Sequence, residues 1–171
     1  EKMHVMVEQA CEGLAGVSAS QVEIQSGIQF YDGISTAEIQ EILIKSASDL
    51  IDLDHPNYQY VAARLLLFSV KKSLYGRIHE LPDLKDHVVK CVEKGIYDEE
   101  ILNLYDDEEF DKLQSIIDHE RDYLFTYAGL RQIVDKYLVQ DRSTGALYET
   151  PQFMYLLISA TIFSKYPKEV R

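Results

Sequence analysis

The segment STAEIQEILIKSASDL, residues 35–50, has the pattern of a complete amphipathic helix. Ser35 and Glu38 have the Ser-x-x-Glu spacing of a capping box, in which each side chain accepts a hydrogen bond from a backbone N–H at the helix start. Apolar side chains follow at spacings of three and four residues: Ile39, Leu43, Ala47 and Leu50. This periodicity predicts one buried face, and therefore a helix over the segment.

The sequence before this segment predicts two shorter helices. Residues 5–10 have helical periodicity, and the turn that contains Gly13 and Gly16 ends it. Ser20 and Glu23 repeat the capping-box spacing and predict a second helix that runs toward Phe30.

After it, Asp54-His55-Pro56 predicts the start of a central helix that continues from Tyr58 through Phe68, apolar on several faces. Helical periodicity is lost between Gly76 and Pro82, where both common helix breakers occur. We therefore predict two domains, residues 1–76 and residues 82–171.

The second domain is predicted to be a helical bundle. Helical periodicity occurs in four segments: Asp83 to Lys94, Asp98 to Leu104, Glu108 to Ile117, and His119 to Lys136. A last helix is predicted to start at Thr150-Pro151 and to end near Pro167. Between them, alternating residues on both sides of Asp141 to Gly145 predict one small β-hairpin near 137–149. The predicted fold class is all-α, with a four-helix block before the bundle.

Charge and apolar content exclude several function classes. The chain has 17 Lys and Arg against 29 Asp and Glu, so its net charge of -12 disfavours nucleic acid and anionic membranes as partners. The longest apolar run, residues 153–163, is about half of the roughly 20 residues that a membrane span needs. The chain opens inside a predicted helix without a signal peptide. We expect a soluble, cytoplasmic piece of a larger protein.

No segment predicts a complete catalytic centre or a metal site. Eight carboxylates in residues 98–111 lack calcium-loop spacing and are typical of solvated helix starts. His119 lies among acidic neighbours that point in different directions on a helix, so a packing or helix-start role is favoured. Cys11 and Cys91, eighty positions apart, fall in apolar helical patterns and are expected to act as small hydrophobes.

Three separate side chains of the first block suit a phosphate. Thr36 opens a helix after Gly33, and a helix start with free amides and a hydroxyl can receive a phosphate. Lys2 and Lys72 add ammonium groups, and Phe68 lies one turn before Lys72, where it could pack against a base. Each feature alone has an ordinary explanation, a cap or a charge at a helix end. Together they predict a nucleotide-phosphate site.

The chain resembles the large subunit of class Ia ribonucleotide reductase over its whole length. The matching segments are IQFYDG (28–33), DHPNYQY (54–60), AAR (62–64), DHVVK (86–90), KYLVQ (136–140) and YETPQ (148–152). The resemblance implies that residues 1–76 are the helical part of a truncated four-helix ATP-cone, which senses ATP against dATP. It implies that residues 82–171 are the helical N-terminal domain that precedes a ten-stranded catalytic barrel.

The resemblance assigns six positions to the allosteric ATP/dATP site: Glu1, Lys2, Met3, Thr36, Phe68 and Lys72. Lys2, Thr36 and Lys72 correspond to phosphate contacts, Met3 and Phe68 to the nucleoside pocket, and Glu1 to the end of the first contacting segment. By the resemblance, Gln40 and Ser69 stand where bacterial relatives have histidines that face the effector, so the discrimination between ATP and dATP, or the number of nucleotides bound, is expected to differ.

The resemblance also implies what the parent enzyme does. It reduces ribonucleoside diphosphates for DNA synthesis by radical chemistry, with thioredoxin or glutaredoxin as reductant, a radical-generating small (beta) subunit, a second large subunit, and magnesium with its effector. Without the opening hairpin, the barrel and its cysteines, this chain is expected to be non-catalytic, to hold no cofactor of its own and to bind nucleotide weakly at most. The alternative is a free-standing helical module that uses its acidic, tyrosine-rich second block to bind a protein.

Overall fold

The computed structural model describes residues 2–168, with only the backbone at Lys2, and this part of the chain folds into helices without a β-strand. The prediction of an all-α fold is confirmed. The α-helices are α1 (Lys2–Cys11), α2 (Ala19–Gly27), α3 (Thr36–Asp49), α4 (Tyr58–Tyr75), α5 (Leu84–Glu93), α6 (Glu100–Leu104), α7 (Asp107–Ile116), α8 (Tyr127–Gln132) and α9 (Pro151–Phe163). A 3₁₀ helix (His119–Leu124) precedes α8, and a π-helical turn (Ile133–Tyr137) follows it.

The chain forms two compact units, and the first contains Glu1–Lys72 together with Glu120–Tyr137. Its centre is α4, as predicted, because ten of the eighteen residues of this helix are buried. The helix begins at Tyr58, two residues after Pro56, whose carbonyl accepts from Gln59 N. The buried Tyr58 hydroxyl accepts a hydrogen bond from Ser18 N at 3.0 Å and donates to Gln21 Oε1. Helix α4 thereby holds the start of α2.

The two Ser-x-x-Glu motifs behave differently in the structure. Ser35 forms the predicted capping box of α3: its Oγ accepts from Glu38 N at 3.2 Å, and Glu38 Oε2 accepts from Ser35 N at 3.0 Å. The prediction for Ser20 is wrong, because α2 begins at Ala19 after Ser18 and Ser20 lies inside the helix. Glu23, the other half of the predicted motif, instead accepts from His4 at 2.9 Å.

The single helix predicted from His119 to Lys136 is wrong. Thr126 has an extended backbone, with ψ of 158°, and its Oγ1 accepts from Gly129 N at 3.3 Å. Thr126 therefore caps a new helix, and the preceding residues form a separate 3₁₀ turn.

The compact units do not follow the predicted domain boundary. The first unit contains residues 1–72 and also residues 120–137. The sequence pattern predicts that residues 120–137 belong to the second domain. A side-chain cluster explains this grouping, since the ring of Tyr123 lies 6.0 Å from the ring of Phe68 in an edge-to-face arrangement. The division into a cone and an N-terminal domain at residues 76–82 stays a prediction.

The second unit contains Ser73–His119 and Leu138–Arg171. Its core joins α5, α7 and α9 through fully or nearly fully buried side chains: Leu84, Val88, Tyr105, Phe110, Phe153 and Ala160. Thr150 and Pro151 begin α9 as predicted. In the acidic segment, Asp106 and Glu109 form a capping box, which agrees with the predicted acidic helix start.

The predicted hairpin near 137–149 is reduced to one antiparallel bridge between Gln140 and Leu147. Its turn is formed, with Gly145 at φ of 74° and Gly145 N donating to Asp141 O at 2.7 Å. Strand pairing stops because Val139 N donates to the Glu149 side chain at 2.9 Å, although Tyr148 N still donates to Val139 O.

Between residues 2 and 168, no helix is both long enough and apolar enough to cross a membrane.

Candidate functional site

The start of α3 presents Thr36 to solvent. Thr36 is the first residue of the helix and is exposed. The capping box uses the Ser35 hydroxyl, and the Tyr31 hydroxyl donates to Glu38 Oε1 at 2.9 Å. These hydrogen bonds, from Ser35 first and then Tyr31, lower the pKa of the Glu38 carboxyl. The helix start is thus fixed by Ser35 and Glu38, and the adjacent Thr36 hydroxyl is available for a ligand.

Two neighbouring lysines near the end of α4 have opposite environments. Lys72 is exposed in the last helical turn, where its charge also suits the helix dipole. Lys71 is buried, with its Nζ 5.2 Å from the centre of the Tyr123 ring. Burial lowers the pKa of Lys71, and the charges of Asp122 and Glu120 oppose that shift. Of this pair, only Lys72 is placed to reach a ligand from solution.

Phe68 lies one helical turn before Lys72 and therefore on the same side of α4. It is one of the largest fully buried side chains, only 2 % exposed. In this structure, Phe68 belongs to the core and touches Tyr123.

Three predicted site residues belong to the first turn of α1 or precede it. Met3 is half-buried in α1. Lys2 begins α1, but its side chain is outside the described part of the molecule, as is Glu1 altogether.

Hydrogen bonds join Arg64 of α4, and Asn57 just before α4, to Ala10 of α1 and to the turn that follows α1. Arg64 Nη1 donates to Ala10 O at 3.2 Å and to Glu12 O at 2.6 Å, and Asn57 Nδ2 donates to Ala15 O at 2.8 Å. From Asn57 to Arg64 the residue number rises while the partner's number falls, so the end of α1 and the start of α4 run in opposite directions. Met3 lies seven residues before Ala10 and Lys72 eight after Arg64, about 10 and 12 Å along their helices at roughly 1.5 Å per residue. Straight helices that continue in these directions carry the first turn of α1 and the last turn of α4 toward the same end of the unit.

A buried amide in α3 lacks an acceptor. Gln40 lies one turn after Thr36 and on the same helical face. Its Nε2 atom is buried and has no hydrogen-bond partner among residues 2–168. A buried donor without an acceptor costs on the order of 1–3 kcal/mol, so such an atom is a candidate ligand contact. Ser69, the other position at which the resemblance implies a histidine in relatives, is half-buried in α4.

Among the described residues, no hydrogen bond, ion pair or ring contact joins Thr36, Phe68 and Lys72 to one another. The structure brings Thr36 and Gln40 onto one face of α3, and Phe68 and Lys72 onto one side of α4. All four residues belong to the first compact unit.

The remaining candidates have the structural roles that the sequence favoured. The His119 ring packs edge-to-face on Phe153 at 5.3 Å. Cys91 is buried and Cys11 is half-buried, and burial raises the pKa of both thiols. Over residues 2–168, no group of three His, Cys, Asp or Glu side chains is arranged to hold a metal ion.

Sequence reasoning missed a buried polar network in the second unit. His87 Nε2 lies 3.2 Å from the hydroxyl of Tyr97, which donates to Glu149 Oε2, and Tyr75 approaches His87 Nδ1 at 3.4 Å. Burial lowers the pKa of His87 to about 4 and raises that of Glu149. Tyr97 and Glu149 are 52 positions apart, so no local spacing links them.

Comparison with known proteins assigns a family to this arrangement. A family model described as ATP cone domain matches residues 1–73. The chain is 53% identical over all its 171 residues to ribonucleoside-diphosphate reductase 1 subunit alpha of Escherichia coli (strain K12). It is 52% identical over the same length to the alpha subunit of Haemophilus influenzae, and 44% identical over 154 residues, 89% of the chain, to that of Enterobacteria phage T4.

The chain spans only 20–22% of the length of these relatives. The match nevertheless covers the whole chain. The ATP cone model covers residues 1–72, which form the first part of the first compact unit. The chain therefore belongs to the family of ribonucleoside-diphosphate reductase alpha subunits and corresponds to their N-terminal region, which includes an ATP cone.

Proposed function

We propose that residues 1–76 bind ATP or dATP as an allosteric effector, with the triphosphate at the end of the unit where α1 and α3 begin and α4 ends. Thr36 supplies a hydroxyl beside the free amides of a helix start, and Lys72 supplies an exposed ammonium group. Lys2 adds a second ammonium, Met3 faces the nucleoside, Glu1 borders it, and the buried Phe68 forms the base of the nucleoside pocket. The opposite directions of the end of α1 and the start of α4 support the grouping of Lys2 with Lys72.

The buried amide of Gln40 is the observation that carries the proposal. Its Nε2 donor has no acceptor among the described residues and lies one turn from Thr36 on the same face. A nucleotide oxygen or ring nitrogen above this face supplies the missing acceptor. Occupancy of the site therefore removes a cost that the empty protein bears.

The charge of the protein makes this placement selective. The chain has a net charge of -12, so most of its surface repels a triphosphate. Lys72 is a point of positive charge next to solvent, whereas the Lys71 ammonium is buried against Tyr123. The anion is therefore attracted to the end of α4.

The wider proposal concerns the protein to which this region belongs. The names of the relatives support a reductase of ribonucleoside diphosphates, for which this chain is the regulatory and structural N-terminal region. Its partners are then a radical-generating beta subunit and a second alpha subunit, and magnesium accompanies the effector on its phosphates. Two free cysteines agree with a reducing compartment, and we place the protein in the cytoplasm.

A nucleotide titration followed by the backbone amide NMR signals of the chain tests the site. ATP should shift the amides at the start of α3 and at the end of α4. Lys72→Gln should weaken binding at least about tenfold, because a charge-assisted contact to phosphate is lost.

Lys94→Gln is the matched control. Lys94 is exposed in the other compact unit, and its substitution changes the net charge by the same amount. The control should bind ATP like the unsubstituted chain. Equal weakening of ATP binding by both substitutions would mean that only the overall charge matters. If millimolar ATP shifted none of the amide signals of the unsubstituted chain, the proposed function would be refuted.

A further inference from the structure

The ring of Tyr123 contacts one side of α4 at three places. The Phe68 ring lies edge-to-face with it at 6.0 Å and 88°. The Arg64 guanidinium lies 5.5 Å from its centre and the Lys71 ammonium 5.2 Å from it, both in cation–π geometry. Arg64, Phe68 and Lys71 are spaced by four and three residues, so Tyr123 covers a continuous stripe of the helix.

The position of Lys71 fixes which side of α4 faces Tyr123. Its ammonium is buried over the Tyr123 ring, where burial lowers the pKa of Lys71 and the charges of Asp122 and Glu120 oppose that shift. Because Phe68 and Lys71 both lie against the Tyr123 ring, rotation of the last turns of α4 about the helix axis would break the edge-to-face contact and the cation–π contact together. Each residue advances a helix by about 100°, and the fixed position of Lys71 therefore decides where Lys72 points.

Phe68 and Lys72 are thus both positioned by a segment that follows them by some fifty residues in sequence. Phe68 is held by its edge contact with Tyr123, and Lys72 is held through Lys71. Residues 120–123 belong to the same compact unit as residues 58–72 of α4, although they lie outside the residues that the cone model matches.

We propose that Tyr123 is a positioning residue of the effector site, which sets the orientation of Phe68 and Lys72 without touching the nucleotide. This inference rests on the proposed function. It assigns part of the nucleotide affinity to the 3₁₀ helix His119–Leu124, and it predicts that nucleotide binding changes the surroundings of the Tyr123 ring.

Substitution of Tyr123 in the full chain gives the first test. Tyr123→Leu should weaken ATP binding, followed by amide NMR titration, by about threefold to tenfold, because one aromatic pair and two cation–π contacts are lost. Tyr123→Phe keeps the ring and should restore the affinity of the unsubstituted chain. Tyr137→Leu is the matched control, since Tyr137 lies in the same unit but is 61% exposed.

A second measurement does not depend on how well Tyr123→Leu folds. The chain has no tryptophan, so Tyr123→Trp introduces a single indole that keeps an aromatic ring in place. ATP should shift its emission or change its quenching by acrylamide. The same substitution at Tyr137 should give a signal that ATP leaves unchanged.

The outcomes separate this inference from the proposed function. If the unsubstituted chain does not bind ATP, the proposed function fails. If it binds ATP and Tyr123→Leu binds equally well, or if Tyr123→Phe fails to restore the affinity, Tyr123 has no positioning role and the effector site itself stands. If saturating ATP changed neither the emission nor the quenching of an indole at residue 123, the inference would be overturned in the same way.

Discussion

His87 shows how burial of one residue produces a pH dependence of stability. Its side chain is 4 % exposed, beside Tyr75, Tyr97, Cys91 and the ring of Phe153. Burial, with a smaller effect of the Lys90 charge, lowers its pKa from 6.5 to about 4. Between these values the unfolded chain binds a proton at His87 that the folded chain does not bind. The free energy of unfolding is therefore unaffected by His87 above pH 6.5 and decreases as the pH falls toward 4.

We therefore expect acid to destabilise the unsubstituted chain relative to His87→Gln. The shift corresponds to about 3 kcal/mol as an upper bound, at about 1.4 kcal/mol per pKa unit. Urea unfolding of both proteins at several pH values between 4 and 7 measures this difference. His79→Gln is the control, because His79 is exposed and its substitution should leave the pH profile parallel to that of the unsubstituted chain.

Comparison with a variant is needed because Glu149 acts in the opposite direction. Burial raises the pKa of its carboxyl above 4.5, so the folded chain keeps that proton to a higher pH and the stability that it gives is lost as the pH rises. The Glu149 contribution is present in both proteins and largely cancels. Identical pH slopes for the unsubstituted chain and His87→Gln would contradict the assigned cause.

At the scale of helices, the two Ser-x-x-Glu motifs separate local pattern from tertiary context. Ser35→Ala removes a formed capping bond and should destabilise the first unit by about 1 kcal/mol. Ser20→Ala should be neutral or slightly stabilising, since Ser20 is an exposed interior residue of α2 and alanine is the better helix former. Thermal unfolding of the two variants measures the contrast. A loss at Ser20 as large as that at Ser35 would show that both motifs cap.

The same pair of motifs shows how far the sequence predicts the helices. Period and capping residues were sufficient for α1, α3, α4 and the start of α9. They failed at α2 because distant residues satisfy its start: Ser18 N donates to Tyr58, and Glu23 accepts from His4. They failed at Thr126 because its Oγ1 caps α8 in the middle of an otherwise continuous apolar stripe.

The candidate site was predictable only in part, and for the same physical reason. Thr36 and Lys72 follow from helix ends, which are local features of the chain. The burial of Lys71 and the role of Tyr123 depend on a contact across some fifty residues, which no periodicity in either segment reveals. The unpaired amide of Gln40 likewise requires knowledge of every neighbouring atom.

At the scale of the whole chain, the first compact unit is built from two separate stretches of sequence, and this leads to a prediction about truncation. A polypeptide of residues 1–76 contains the full ATP-cone match but lacks residues 120–137 of the same unit. It exposes the α4 stripe that Tyr123 covers, including Phe68. Exposure of a phenylalanine side chain costs about 2 kcal/mol, so α4 amides should exchange hydrogen faster in this polypeptide than in the full chain.

Phe68→Ala distinguishes this cause from general damage by truncation. In the full chain, the substitution should destabilise α4 by about 3 kcal/mol, because it leaves a cavity between the helix and Tyr123. In residues 1–76 the ring already lacks that partner, and the same substitution should cost clearly less by hydrogen exchange. An equal cost in both polypeptides would mean that Phe68 is held by α1–α4 alone, and that residues 120–137 add nothing to the stability of the cone.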